Sequence, residues 1–130
     1  MASASVVSGD TNYVHQVRAG HFDLVADAPR ALGGQGQGPA PFDYYLAALS
    51  ACTAITLRMY AERKGWNLGE FRAELSLRKD EDGKLHVHRV LHSDQPLSDP
   101  QWARLLEVVA NTPVTKALRE GAEITSERGG

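Results

Sequence analysis

From Tyr44 to Leu57 the chain carries no charged residue, and its apolar positions fall on every side of a helix. Ala47, Ala48, Ala51 and Ala54, together with Leu46, Leu49 and Leu57, give high helical propensity. Pro41 suits the first helical position, where its missing N–H costs nothing, and Asp43 in the first turn faces the positive end of the helix dipole. Arg63 and Lys64 followed by Gly65 supply a stop, so the spacing predicts a helix over Pro41–Lys64. A helix without a polar face must be covered all round. A chain of 130 residues has few other elements to do this, so a symmetric homodimer that packs these helices together is expected, burying Leu46, Leu49 and Leu57 or their close helical neighbours.

The rest of the chain supplies strands and two shorter helices. Tyr13–Val17 and Phe22–Ala26 read as an N-terminal hairpin. The Gly33–Gly38 stretch, closed by Pro39 and Pro41, tolerates neither helix nor strand and reads as a crossover loop. Glu70–Arg78 alternates polar and apolar, with Phe71, Ala73, Leu75 and Leu77 on one face; Asp80-Glu81-Asp82-Gly83 turns the chain, and Leu85–His92 returns as the partner strand. Ser98 and Gln101 form a capping box ahead of a helix with Trp102, Leu105, Leu106 and Val109 as its stripe. Asn111-Thr112-Pro113 interrupts that helix, a short helical piece runs to Glu120, and Ile124 is expected in a final short strand. The expected class is therefore α+β, as one domain over 1–130 with residues 1–10 as a disordered tail.

Charge and composition narrow the partners. Fourteen Lys and Arg against sixteen Asp and Glu leave a net charge of -2, which offers no overall basic field for nucleic acid. The N-terminus lacks the cationic start and apolar run of a signal peptide. The Tyr44–Leu57 stretch is shorter than the ~20 residues of a membrane span, so no membrane partner and a cytoplasmic location are expected. A single cysteine rules out a disulfide framework within one chain.

Four features invite chemistry. Cys52 is the one strong nucleophile; beside Ala48, Leu49, Ile55 and Thr56 it also reads as a small buried hydrophobe, and reactivity would require a nearby cation. Arg18 is a candidate for that cation. The glycines at 34, 36 and 38 precede a helix as a phosphate loop would, but no Gly-Lys-Ser/Thr follows, so no nucleotide cofactor is expected. His86, His88 and His92 share a strand face; one extended strand seldom converges three ligands on a metal, so a solvated face and no metal are expected.

The run Leu32-Gly33-Gly34, then Gly38-Pro39-x-Pro41-x-Asp43-Tyr44-Tyr45-Leu46-Ala47-Ala48-Leu49-x-Ala51-Cys52-Thr53-Ala54, resembles the OsmC/Ohr family of osmotically inducible and organic hydroperoxide resistance proteins. The likeness continues through Arg58-Met59-Tyr60-Ala61-x-Arg63-Lys64-Gly65-Trp66, and Thr112-Pro113-Val114-Thr115 looks like the family's C-terminal motif. The resemblance implies an intertwined α+β homodimer with antiparallel sheets wrapped around long central helices. It further implies thiol-dependent reduction of organic hydroperoxides, with Cys52 as the attacking thiol and an Arg and an acidic residue near it. Two positions differ from the family pattern. Thr112 stands where the family carries a resolving cysteine, and Phe42 replaces the acid expected after Pro41, leaving Asp43 one place later. Cys52 as catalytic residue, with Arg18, Asp43 and Thr112 as activating or pocket residues, follows from the resemblance, as do an organic hydroperoxide and a thiol reductant as partners. The alternative is a non-redox protein that binds a small hydrophobic ligand at the dimer interface.

Overall fold

The computed structural model describes residues 2–130, which fall into two compact units, one ending at Ala47 and one running from Ala48 to Gly130. The first unit holds an antiparallel sheet in the order β1 (Ala4–Ser8), β2 (His15–Ala19) and β3 (Phe22–Ala26). Val6 pairs with Val17, and Val17 with Leu24, so the three strands share one register. Two expectations need correcting here. Residues 4–8 are a strand rather than part of a disordered tail, because the edge of β2 supplies backbone partners for a run with little side-chain pattern of its own. Moreover β2 begins at His15, not Tyr13, because Tyr13 takes a positive φ of 68°, outside the extended region a strand needs.

The glycine-rich loop is built around one carboxylate. Asp27, almost wholly buried after β3, accepts the backbone N–H of Ala28 at 2.8 Å through one oxygen. Its other oxygen accepts those of Gln35 at 2.9 Å and Gln37 at 3.1 Å. A side chain at Gly34 would run into the carbonyl of Ala28, which explains the glycine there. The loop N–H groups that a phosphate would require are thus already bound to the protein's own anion. Burial pushes the Asp27 carboxyl up, but the N–H groups of Gln37, Gln35 and Ala28 and the charge of Arg30 outweigh it and hold it below the ordinary 3.8.

A depressed folded value stabilises the loop above the ordinary value and loses that contribution as pH falls through the folded one. The amide resonances of Ala28, Gln35 and Gln37 are accordingly expected to titrate together, with a midpoint below 3.8. A midpoint at or above that value would contradict the arrangement.

Helix α1 spans Pro41–Lys64, the bounds its sequence predicts, and ends where Gly65 turns left-handed at φ 69°. There the Trp66 N–H returns to the Ala61 carbonyl. In the first unit, the Tyr44 hydroxyl donates to the Val25 carbonyl at 2.6 Å. The second unit adds the hairpin β4 (Phe71–Lys79) and β5 (Leu85–Ser93), paired antiparallel with Leu75 opposite Arg89. Helix α2 (Asp99–Val109) opens with the Ser98–Gln101 capping box, and α3 (Pro113–Glu120) follows a break at Thr112.

Leu57, Ala61, Leu68, Leu105 and Val109 form the buried core of this unit, with Trp66, Phe71, Leu91 and Trp102 packed against it. The chain is therefore α+β with antiparallel sheets and three helices. Among the described residues no helix is long and apolar enough to cross a membrane.

Of the positions expected at a dimer contact, Leu57 is completely buried and Leu49 is 5% exposed inside the chain itself, which leaves their close helical neighbours for such a contact. The large apolar side chains of α1 that remain open in this unit are Ile55 and Met59. One expectation is overturned: Ile124 lies in no strand and is 87% exposed.

Candidate functional site around Cys52 and Arg89

Cys52 lies within α1, half-buried, its sulfur 3.9 Å from the hydroxyl of Thr56 one turn on. Its neighbour Thr53 is fully buried and donates its hydroxyl proton to the Leu49 carbonyl at 2.8 Å. That fixes the polarity of Thr53: its lone pairs are left to accept, and a cation takes them. Arg89 Nη1 donates to Thr53 Oγ1 at 2.8 Å and to Thr115 Oγ1 at 3.0 Å, while Nη2 donates to the Val109 carbonyl at 2.8 Å. One guanidinium therefore joins α1, the end of α2 and the first turn of α3.

Arg89 holds no carboxylate; every salt bridge among the described residues is made by other side chains. Burial draws Arg89 below the usual arginine range, and the negative charge of Cys52 is what opposes that shift.

The residues expected from the sequence divide cleanly. Thr112, 1% exposed, touches the Thr115 hydroxyl at 2.6 Å and so connects to Arg89 through it. Arg18 is instead paired with Asp23 at 3.3 Å across β2 and β3, both side chains largely exposed. Asp43 accepts the Ala40 N–H at 2.9 Å and closes the start of its own helix. Both are therefore engaged by partners inside the first unit.

Arg89 was not a candidate, although a signal for it exists. In β5 it shares a face with Leu85, Val87 and Leu91, where a charged residue breaks an otherwise apolar alternation.

The histidines of β5 find carboxylates singly: His86 Nε2 lies 2.8 Å from Asp80, and His92 Nε2 lies 3.1 Å from Glu74. The bond from His86 holds the Asp80 carboxyl below its ordinary value. Among the described residues no three His, Cys, Asp or Glu side chains gather where they would hold a metal.

A chain with two antiparallel sheets, a long helix bearing a lone cysteine and a half-buried cation bonded to the next residue has the makings of a thiol-bearing α+β protein, and comparisons give that class its family. Residues 34–127 match the OsmC-like proteins, a span that includes Cys52, Arg89 and Thr115. The chain belongs to the OsmC family.

Among solved structures it is similar to the organic hydroperoxide resistance protein OsmC of Legionella pneumophila, at 25% identity and TM-score 0.68, over 92% of this chain and 89% of that one. It is similar also to the organic hydroperoxide resistance protein OhrB of Bacillus subtilis, at 24% identity and TM-score 0.65, over 92% and 90%. An OsmC-like protein of Mycoplasma pneumoniae shares the fold at 18% identity and TM-score 0.73, over 92% and 87%. No curated protein matches the sequence.

Proposed function

We propose that this protein is a homodimeric, thiol-dependent peroxidase that reduces organic hydroperoxides through Cys52, in the cytoplasm. The observation that carries this is Arg89, a half-buried cation bonded at 2.8 Å to Thr53, the residue after Cys52 on α1, and in none of the salt bridges among the described residues. A cation near a cysteine favours the thiolate, the nucleophilic form. Relatives named for organic hydroperoxide resistance support the choice of substrate class.

In the first step the Cys52 thiolate attacks the terminal oxygen of the hydroperoxide. The O–O bond breaks, the alkoxide takes a proton and leaves as an alcohol, and the sulfur becomes a sulfenic acid. The chain has no second cysteine, so a small external thiol condenses with the sulfenic acid and releases water. A second equivalent of that thiol displaces Cys52 from the mixed disulfide, restoring the thiol and leaving with the oxidised reductant. Arg89 stabilises the negative sulfur before attack and needs no proton transfer of its own.

Support for the dimer comes from the open stripe of α1 in the second unit. Ala48 and Ala51 are exposed and small, and Ile55 and Met59, one turn apart, are 55% and 56% exposed. Such a stripe suits close approach of a second copy of the same helix.

The test of the activity uses the native protein. Preincubation with an organic hydroperoxide is expected to block alkylation of Cys52 and to add one oxygen to the protein mass, and an added monothiol should restore the free cysteine. Cys52 that alkylates equally before and after hydroperoxide would overturn the peroxidase assignment in favour of a non-redox ligand-binding dimer.

A further inference from the structure

We infer that the first unit carries a binding pocket for a neutral small molecule with an aromatic or alkyl body and one hydroxyl, held through its proton by His15. The pocket needs nothing of the thiol chemistry of Cys52, which belongs to the second unit.

The pocket follows from the register of the sheet. His15 stands opposite Ala26, and Val6 opposite Val17, so alternation puts Val6, His15 and Ala26 on one face. Tyr13 ahead of β2, Leu32 beyond β3 and Phe42 in the first turn of α1 complete a depression of about 590 Å3. That volume lies inside the range of about 300–1,000 Å3 that suits a small ligand. Two of its walls are fixed by contacts of their own. The Tyr13 ring lies against Gly33, its Cε2 2.9 Å from where a Cβ would stand, and the Phe42 ring meets Tyr45 edge-on at 5.6 Å between centroids. Tyr13 keeps its positive φ because the turn around it is bonded. The Val14 N–H donates to the Thr11 carbonyl at 3.1 Å, and the Gly9 N–H to the Val14 carbonyl at 3.2 Å. A strained residue persists only where its surroundings hold it, and such residues cluster at ligand sites.

The polar inventory of the lining decides the chemistry of the occupant. Among the described residues no Lys or Arg lines it, and Asp27, its one carboxylate, already accepts three backbone N–H groups. An anion would find no countercharge and a cation no free carboxylate, so the occupant is neutral. His15 supplies the directional contact. A carbonyl oxygen can only accept, so the 2.9 Å bond between His15 Nδ1 and the Tyr13 carbonyl places the ring proton on Nδ1. In the neutral ring Nε2 then keeps a lone pair, and among the described residues nothing donates to it. A hydroxyl proton is its match. A protein surface fits less well, because an interface calls for about one hydrogen bond per 100–200 Å2, and beyond Asp27 these side chains offer only the His15 ring and the Tyr13 hydroxyl.

The experiment titrates the full chain with naphthol and follows its backbone amides in nitrogen–proton correlation spectra. Saturable shifts are expected at Val6, Tyr13, His15 and Leu32. The methyl ether of naphthol, the same body without the proton, should bind about fivefold more weakly, the worth of one ordinary hydrogen bond. Naphthoate, which adds a charge, should bind about tenfold more weakly than naphthol. His15→Phe keeps a flat ring and deletes the lone pair, so naphthol and its ether should bind that variant alike, a result that a merely structural histidine would not give. If His15→Phe fails to fold, Leu32→Asp is measured instead. Leu32 is 71% exposed, so the fold tolerates the change, and a charge in the apolar wall should weaken naphthol binding about tenfold. Pocket amides that stay in place in the native protein would overturn the inference, whether the pocket is then empty or covered by a second copy. So would equal binding of naphthol and its ether to the native protein.

Discussion

Replacing Arg89 with Met is expected to slow the reaction of Cys52 with an organic hydroperoxide at neutral pH about tenfold or more. Removing the cation bonded beside Cys52 on α1 raises the cost of a negative sulfur, and each pKa unit is a factor of ten in the ionised fraction. Methionine fills much of the arginine's volume and removes its charge, so the variant isolates the electrostatic contribution.

Some stability is lost as well. The Val109 carbonyl and the Thr53 and Thr115 hydroxyls each lose a donor, and an unmade buried hydrogen bond costs about 1–3 kcal/mol. Loss of a half-buried charge offsets part of that cost. Arg89→Lys retains the charge, but one ammonium cannot present a planar fork to acceptors on three helices, so its rate should fall between the two. Stopped-flow oxidation of Cys52 across pH checks this; an Arg89→Met variant as fast as the native protein at neutral pH would leave Cys52 without its activating group. Raising the pH should bring the variant back toward the native rate, since the thiolate then forms unaided.

Arg89 also marks where the sequence stops being readable. That it faces the apolar side of β5 follows from alternation along one strand, which is local information. That Thr53, Val109 and Thr115 meet it is not local at all, since these positions converge only when the hairpin packs over three helices. Arg18, the candidate the sequence offered, lies on a strand whose partner Asp23 is directly opposite in the hairpin register, and the two pair at 3.3 Å.

Where punctuation was explicit, the structure was legible. Pro41 and Gly65 fix α1 at both ends because one lacks an N–H and the other accepts a left-handed φ. The Ser98–Gln101 box fixes α2 in the same way. Elements without such marks failed: β1 depends on β2 for its pairing, and Ile124 lies in no strand. The glycine loop falls between these cases. Composition shows that it is a loop, but only the buried Asp27 explains why its amides point inward.

The second large effect concerns the dimer, and Ile55→Glu is expected to reduce the particle in solution from two chains to one. Native protein at micromolar concentration should scatter light as a dimer. A two-fold interface uses each position twice, so one substitution places two carboxylates in it. Ile55 and Met59 flank an open groove of about 450 Å3 on the second unit, lined also by Ala54, Arg58, Glu62 and Phe71. The native groove therefore carries both an acid and a base, and an added pair of glutamates tips it toward repulsion while exposing nothing of the Leu57 core. Because Ile55 is already 55% exposed within the chain, its replacement should leave the monomer folded, with unchanged far-ultraviolet dichroism. Loss of the dimer together with retained helical signal is the expected pair of results. A dimer that persists in Ile55→Glu would place the contact on another face, and the exposed Ile55–Met59 stripe would then need a different cover.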